Sequence, residues 1–158
     1  MKFNNGENSI SLSRILCVED DKDSCSLIEF MLRQEDDGCV VTSAQTAEEA
    51  IDLIEKQSFD LYILDYWLPE MTGVELCEKI RQTDKQTPIL FFTAMARPAD
   101  RAAGRAAGAT EYLVKPNDLS NLTETVKRLI HESKTNSELI RNESKSNSAS
   151  NYRAALKA

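Results

Sequence analysis

FDLYILD, residues 59–65, is a strand-length, mostly apolar run that ends on a carboxylate, Asp65. An apolar run with little alternation is typical of a parallel strand that is covered on both faces of its sheet. Four similar runs recur along the chain, at residues 14–18 (RILCV), 39–43 (CVVTS), 88–92 (PILFF) and 110–114 (TEYLV). Together the five runs predict a five-stranded parallel sheet.

The segments between these runs carry the spacing of amphipathic helices. One apolar stripe consists of Ala47, Ala50, Ile51 and Ile54, and a later one of Leu119, Leu122, Val126, Leu129 and Ile130. Thr46 and Glu49 form a candidate capping box ahead of the first stripe. Asn117 or Asp118 is expected to cap the helix of the second.

A further helix is predicted over residues 98–107, between Pro98 at its start and Gly108 at its end. Gly104 lies inside this segment and lowers its helix propensity, so we expect the helix to be short and mobile. Strands that alternate with helices in this way predict an α/β fold, a (βα)5 three-layer sandwich with right-handed crossovers.

The alternation ends near residue 134. We therefore predict a globular domain at residues 13–133, preceded by a polar N-terminal extension at residues 1–12. We expect a flexible polar tail at 134–158, with a little helix at 137–141. We interpret the chain as a stand-alone protein, although a fragment of a longer regulator is an open alternative.

Composition excludes several classes of function. A net charge of −7 and an isoelectric point of about 4.8 argue against direct DNA binding. No apolar stretch approaches the roughly 18 residues of a membrane span, and residues 1–13 do not resemble a signal peptide, so we expect a cytoplasmic protein with no membrane partner. The four cysteines lack the spacing of a zinc site and are expected to be buried thiols.

Ionisable and hydroxyl side chains follow four of the five predicted strands, at the sheet edge where open α/β folds bind ligands. They are Glu19, Asp20 and Asp21 after the first strand, Asp65 after the third, Thr93 after the fourth and Lys115 after the fifth. Crowded carboxylates repel one another unless a cation intervenes, and Mg²⁺ suits carboxylates combined with phosphate. With no histidine in this set, the pattern indicates phosphoryl transfer with an aspartate as nucleophile.

The chain resembles the receiver domain of two-component response regulators over about residues 13–133. The resemblance lies in ILCVEDD, DLYILDYWLPEMTGVEL, ILFFTA and GATEYLVKP, which occur in the family's order and spacing. It implies a flavodoxin-like fold with strand order 2-1-3-4-5, of the chemotaxis-regulator type. It also implies a phosphoacceptor rather than an enzyme, which receives its phosphoryl group from a sensor histidine kinase or a phosphotransfer protein and then switches a surface that binds a downstream protein effector.

The resemblance also implies a role for each site residue. Asp65 is the phosphoacceptor, and Mg²⁺ is held by Asp20, by Glu19 through water, by Asp65 and by the backbone carbonyl of Trp67. Thr93 and Lys115 contact the phosphoryl group. Thr93 and Tyr112 form the switch, in which Tyr112 turns inward. The peptide bond between Lys115 and Pro116 is expected to be cis.

Two further features of the sequence, an apolar pair near the site and a row of arginines, each allow a functional and a non-functional interpretation. Trp67 and Met95 lie two residues after Asp65 and Thr93, where the family admits the hydrolytic water, so we expect them to tune the rate of dephosphorylation. Alternatively, Trp67 is a partner contact or is merely exposed. Arginines recur every four residues at Arg97, Arg101 and Arg105, which form either a docking patch for an acidic partner or a solvated face.

Two other functions compete with this interpretation. An aspartate-nucleophile phosphatase normally carries a second Asp two residues after the first, where this chain has Trp67. A degenerate receiver that binds a protein independently of phosphate would lack one of the acidic residues, and none is missing. Phosphorylation-linked homodimerisation stays open, as do the cognate kinase and the effector.

Overall fold

The computed structural model describes residues 12–35 and 38–155, so all but the last residue of the predicted extension at 1–12 lies outside the described residues. Its five strands are β1 (Ser13–Val18), β2 (Cys39–Ala44), β3 (Leu61–Leu64), β4 (Ile89–Thr93) and β5 (Glu111–Val114). Its five helices are α1 (Lys22–Glu35), α2 (Ala47–Lys56), α3 (Gly73–Thr83), α4 (Pro98–Ala106) and α5 (Leu122–Ala155), with a 3₁₀ turn at Leu119–Asn121. Strands and helices therefore alternate as predicted.

The strands form one parallel sheet in the order β2-β1-β3-β4-β5. This is the flavodoxin-like order that the resemblance implies. Because side chains alternate across a strand, each strand feeds two separate cores. In β1, Leu16 and Val18 join the core that includes residues of α2 and α3, whereas Ile15 and Cys17 join the core that includes residues of α1 and α5.

Burial on both faces explains why the strands contain so little polar sequence. Residues 15–18, 61–64 and 89–92 are all buried. The four cysteines are buried thiols in the two cores, which confirms their expected role as small apolar side chains. Within residues 12–35 and 38–155, no helix is long and apolar enough to cross a membrane.

Helix starts follow local side-chain chemistry. The hydroxyl of Thr46 accepts a hydrogen bond from the backbone N–H of Glu49, which confirms Thr46 as the N-cap of α2. The predicted capping box is incomplete, because the Glu49 carboxylate accepts from the backbone N–H of Gln45 instead of that of Thr46. A complete capping box, which we did not predict, starts α3. There Thr72 accepts from the backbone N–H of Glu75, and the Glu75 carboxylate accepts from that of Thr72.

The cap predicted for α5 was wrong. Asp118 makes no capping bond to the 3₁₀ turn that follows it, and α5 begins only at Leu122. The Asp118 carboxylate instead accepts a 2.8 Å bond from the backbone N–H of Val114, at the end of β5. A short polar side chain beside a strand end can serve either element, and here it closes the turn.

The C-terminal part of α5 also differs from the expectation of a little helix at residues 137–141. The helix continues without interruption to Ala155. It contains no glycine or proline, and the hydroxyls of Thr135, Ser137 and Ser144 donate to carbonyls one turn earlier. The hydroxyls are thus accommodated within the helix, and no glycine or proline ends it, so a Ser-rich composition was a poor guide to its end.

Gly104 has a packing role that its low helix propensity concealed. A Cβ atom at this position would lie 3.2 Å from two carbons of the Tyr112 ring. The helix α4 is short, as predicted, but its glycine allows α4 to approach β5 closely.

Asp84 provides a pH-dependent test of the fold. Its carboxylate accepts bonds from the backbone N–H groups of Gln86 and Thr87, and from the hydroxyl of Tyr62 at 2.9 Å. Burial by itself raises the pKa of Asp84, but these hydrogen bonds outweigh it and hold the pKa below its usual value. The carboxylate therefore stabilises the fold above the pKa of an unfolded Asp, about 3.9, and this stability is lost as the pH falls through the lower folded pKa.

We predict that Asp84→Asn lowers the free energy of unfolding by about 1 kcal/mol at pH 7. The difference from wild type should shrink as the pH falls below about 4. Denaturant unfolding at pH 7 and pH 3 measures both, with Asp52→Asn on the exposed side of α2 as control. An Asp84→Asn effect that is equal at the two pH values would contradict the assignment.

Candidate functional site

Three carboxylates meet at the carboxyl edge of the sheet, as the strand order predicts. Glu19 and Asp20 follow β1, and Asp65 follows β3, so neighbouring strands bring them together. One ligand oxygen from each lies within 4.8 Å of the others. Backbone bonds fix the two loops, since the Asp65 N–H donates to Val18 at 2.9 Å and the Glu19 N–H donates to Ala44 at 3.0 Å.

Lys115 brings positive charge to this cluster from the far end of β5. Its ammonium donates a hydrogen bond to the Glu19 carboxylate and lies 4.0 Å from Oδ1 of Asp65. The ammonium also lies 5.2 Å from the centre of the Phe92 ring. The Lys115–Pro116 peptide bond is cis, as expected. The site thus combines three carboxylates with the Lys115 ammonium, which is paired with Glu19.

The acidic charge is concentrated on a partly desolvated site. Glu19 is only 5% exposed, and burial raises its pKa, although Lys115 acts in the opposite direction. A hard divalent cation with oxygen ligands would stabilise the ionised carboxylates, and Mg²⁺ prefers this donor set. The carbonyl of Trp67 as a further ligand stays a prediction.

Asp21 belongs to the helix rather than to the cluster. Its carboxylate accepts bonds from the backbone N–H groups of Asp23 and Ser24 and from the Ser24 hydroxyl. These bonds start α1 and hold the pKa of Asp21 below its usual value. The Asp21 carboxylate therefore caps α1, whereas the carboxylates of Glu19 and Asp20 belong to the cluster.

Thr93 and Tyr112 are both buried and meet at Met95. The hydroxyl of Thr93 accepts a 3.3 Å bond from the Met95 N–H, and the Tyr112 hydroxyl donates a 2.9 Å bond to the Met95 carbonyl. Tyr112 is 2% exposed, so the structure places it in the inward position. Burial raises the pKa of Tyr112 to about 12.

The side chain of Met95 contacts Trp67 across the site. The indole N–H of Trp67 donates to the Met95 sulfur at 3.1 Å, while the Trp67 side chain is largely exposed. Met95 therefore links the loop after β3 to Thr93 and Tyr112. Its sequence position did point to a site role, but gave no sign that one residue joins all three.

Gly73 is a site residue that sequence reasoning missed. A Cβ atom there would lie 2.0 Å from the backbone carbonyl oxygen of Asp65, so no side chain fits. The Gly73 N–H donates to the Tyr66 carbonyl at 2.7 Å and fixes the loop that carries Asp65. The only signal was a glycine at the start of a helix, where its propensity is poor.

The family model of the response regulator receiver domain matches residues 15–127. The chain belongs to this family. Receiver domains are phosphoryl acceptors that bind Mg²⁺ at an acidic pocket and interact with a histidine kinase or another phosphodonor. The acidic cluster of this receiver has the oxygen donors that such a pocket requires.

Known proteins show the same relationship. An uncharacterized 14.6 kDa protein of Leptolyngbya boryana is 40% identical over 116 residues, which cover 72% of this chain and 87% of that protein. The transcriptional regulatory protein TrcR of Mycobacterium tuberculosis is 34% identical, over 76% of this chain and 46% of TrcR. The response regulator ArlR of Staphylococcus aureus is also 34% identical, over 75% of this chain and 53% of ArlR. The receiver thus spans about half the length of TrcR and ArlR.

Solved structures agree with the observed fold. A CheY-like receiver domain protein from Methanospirillum hungatei matches with a TM-score of 0.74 and 32% identity, over 80% of this chain and 99% of its own. The chemotaxis response regulator CheY4 of Vibrio cholerae matches with a TM-score of 0.68 and 32% identity, over 75% and 98%. The flavodoxin-like assignment therefore rests on both sequence and structure.

We predict that Gly73→Ala disrupts the site, because the added methyl group must displace the Asp65 backbone. The free energy of unfolding should fall by on the order of 2–3 kcal/mol, and the affinity for Mg²⁺ should fall with it. Thermal unfolding and a Mg²⁺ titration followed by Trp67 fluorescence measure the two effects.

Glu70→Gly is the matched control in the same loop. Glu70 has a φ of 69°, so glycine relieves backbone strain there while adding freedom to the unfolded chain, and the two effects roughly cancel. Wild-type stability and Mg²⁺ affinity in Gly73→Ala would show that the loop tolerates the side chain.

Proposed function

We propose that this receiver takes a phosphoryl group on Asp65 and uses it to switch a protein-binding surface. The observation that carries the proposal is the position of Asp65, with ligand oxygens of Glu19 and Asp20 within 4.8 Å and the Lys115 ammonium 4.0 Å away. A carboxylate so placed can act as a nucleophile beside groups that hold a cation and neutralise phosphate charge.

The reaction is an in-line displacement. A carboxylate oxygen of Asp65 attacks phosphorus, and a new P–O bond forms as the bond between phosphorus and the donor's histidine nitrogen breaks. The nitrogen keeps the bonding electron pair, and the product is an acyl phosphate on Asp65. Thr93 and Lys115 contact the transferred group by a hydroxyl and an ammonium. The chain is thus a phosphoacceptor with transfer chemistry of its own, and we do not class it as an enzyme.

The metal would be held by Asp20 and Asp65 directly, by Glu19 through water and by the Trp67 carbonyl. When bound, Mg²⁺ offsets the negative charge that gathers as phosphate approaches three carboxylates. Lys115 then has a clear second use. Its ammonium, hydrogen-bonded to Glu19, lies close enough to Asp65 to pair with the phosphoryl oxygens.

A surface next to the site suits the protein that donates the phosphoryl group. An apolar groove of about 160 Å³ borders Lys115 and is lined by Leu27 and Ile28 of α1 together with Phe92 and Pro116. On the same helix Leu27 is 47% exposed and Phe30 is 61% exposed. We propose that a histidine kinase or phosphotransfer protein docks here, because the apolar contact lies beside the acceptor.

The output surface is assigned to α4 and β5, which carry Tyr112. A phosphoryl group that draws the Thr93 hydroxyl away from the Met95 N–H would alter the segment whose carbonyl holds Tyr112. A downstream protein effector would read this change as a shift in population between two surfaces. A single-domain form is supported by the 14.6 kDa relative, 87% of which the match covers.

The first test is intact-protein mass spectrometry after treatment with acetyl phosphate. We predict a gain of one phosphoryl group in wild type that requires Mg²⁺ and is absent in Asp65→Ala. Asp60→Ala, a carboxylate at the opposite end of β3, is the matched control and should still be phosphorylated. Modification of Asp65→Ala would assign the acceptor elsewhere.

A receiver that refuses small donors requires a second measurement. Beryllofluoride, a phosphoryl analogue, should alter the environment of Tyr112 in wild type but not in Asp65→Ala. If acetyl phosphate adds no phosphoryl group and beryllofluoride leaves the environment of Tyr112 unchanged, the alternative function is favoured, a phosphate-independent protein-binding module.

From the positions of Trp67 and Met95 we predict that the phosphoryl group on Asp65 is hydrolysed slowly. Their side chains touch where the loop after Asp65 meets the segment after Thr93, and we propose that they keep the hydrolytic water from the phosphoryl group. After the donor is removed, the double variant Trp67→Asn, Met95→Ala should lose its phosphoryl group roughly tenfold faster than wild type, equal to ~1.4 kcal/mol in the barrier. Trp67→Phe keeps an apolar ring and should stay near the wild-type rate. A lifetime in wild type no longer than in the double variant would refute this role.

A further inference from the structure

The ring of Tyr112 is contacted both from the sheet and from α4. It stacks on Phe91, with ring centres 5.5 Å apart and an angle of 18° between the planes. The guanidinium of Arg101 covers the ring from α4, with its Cζ 5.2 Å from the ring centre. Gly104, one turn further along the same helix, leaves the space that the ring edge occupies. Two elements of the fold therefore fix one aromatic side chain.

Arg101 is also bonded to the backbone around Tyr112. Its Nη1 donates to the carbonyl oxygen of Tyr112 at 3.1 Å. Its Nη2 lies 3.8 Å from Oδ2 of Asp118, and that same oxygen accepts the bond from the Val114 N–H. The guanidinium is thus held between its own helix, the middle of β5 and the turn after β5.

These contacts set Arg101 apart from its two neighbours on α4. Arg97 is engaged by Asp100, whose carboxylate accepts bonds from Nε and Nη2 of Arg97 at 3.0 Å each. Arg105 is exposed. The predicted basic face of α4 therefore divides into a helix-start pair, a residue turned toward β5 and an outward-facing arginine.

An arginine is well suited to this position. Its guanidinium can lie over an aromatic face while its N–H groups donate hydrogen bonds, and Arg101 makes both kinds of contact to Tyr112. The side chain is 39% exposed, so the contact is only partly screened by water. The Tyr112 hydroxyl contributes a third restraint through its bond to the Met95 carbonyl.

We propose that Arg101 is a positioning residue that latches Tyr112 in its buried position before any phosphoryl group is present. The ring, its carbonyl and the following turn are all tied to the same guanidinium. Much of the α4–β5 surface is then already arranged in the unmodified protein. The role of this surface in signalling rests on the proposed function. The hold of Arg101 on Tyr112, which we call the latch, concerns only the unmodified protein.

The latch has a consequence for binding at Asp65. If a phosphoryl analogue binds best when Tyr112 is buried, its apparent affinity scales with the fraction of molecules in that state. Removing Arg101 lowers this fraction and hence the affinity, although Arg101 makes no contact with the acidic cluster. Coupling of this kind commonly amounts to fivefold or more.

The experiment labels the protein with 3-fluorotyrosine and records ¹⁹F NMR spectra, with the Tyr112 resonance assigned by Tyr112→Phe. A soluble gadolinium chelate broadens resonances of exposed rings. We expect Tyr112 to be protected in wild type and in Arg105→Ala, and to be broadened in Arg101→Ala. Arg101→Lys keeps a cation but loses the planar guanidinium with its several N–H donors, and should fall between the two. Thermal unfolding confirms that each variant is folded, and Arg101→Met replaces Arg101→Ala if the latter is not.

Titration with beryllofluoride in the presence of Mg²⁺, followed by Trp67 fluorescence, is the second readout. Arg101→Ala should bind about fivefold more weakly than wild type, with Arg105→Ala unchanged. Equal protection of Tyr112 in wild type and in Arg101→Ala overturns the latch, as does an equal loss in Arg105→Ala. If wild type binds no beryllofluoride, the proposed function fails, and the NMR comparison still decides the latch.

Discussion

The repulsion among three carboxylates is the constraint on which the rest of this structure depends. Glu19, Asp20 and Asp65 occupy a space of a few ångströms because neighbouring parallel strands end at the same edge. Such a cluster is tolerable only beside positive charge, and Lys115 supplies part of it from β5. The loops that carry these groups are fixed by backbone bonds and by a glycine that admits no side chain. The acidic edge is thus a product of the whole sheet.

The alternation of elements could be predicted because strands buried on both faces leave a continuous apolar signal. Local signals sufficed for the α2 cap at Thr46, but failed at Asp118, where a strand end competes for the same carboxylate. They also failed for the length of α5, because the Ser-rich segment contains no glycine or proline to end the helix and its hydroxyls bond within it. Composition shows how polar a segment is, whereas the end of a helix depends on where its polar groups find hydrogen-bond partners.

The position of the candidate site was predictable for a related reason. Strand ends are visible in the sequence, and the strand order then places Asp65 and Lys115 near Glu19. Contacts made through tertiary approach left no such trace. Nothing in the sequence shows that Gly73 lies against the Asp65 carbonyl, or that Met95 joins Trp67 to Tyr112. Arg101 was predicted only as part of a charged helix face, because its spacing matched that of Arg97 and Arg105.

The close approach of Gly104 to the Tyr112 ring has an evolutionary consequence. Phe91 stacks on that ring and would itself lie 3.4 Å from a Cβ atom at position 104, so a larger residue there would meet both rings. Positions 104 and 112 should therefore change together among descendants of this sequence: lineages that keep the tyrosine retain a small residue at 104, and lineages that replace it with a smaller side chain are released from that restriction. Selection on Tyr112 would then appear as paired substitutions at positions 112 and 104, the second of which lies on α4.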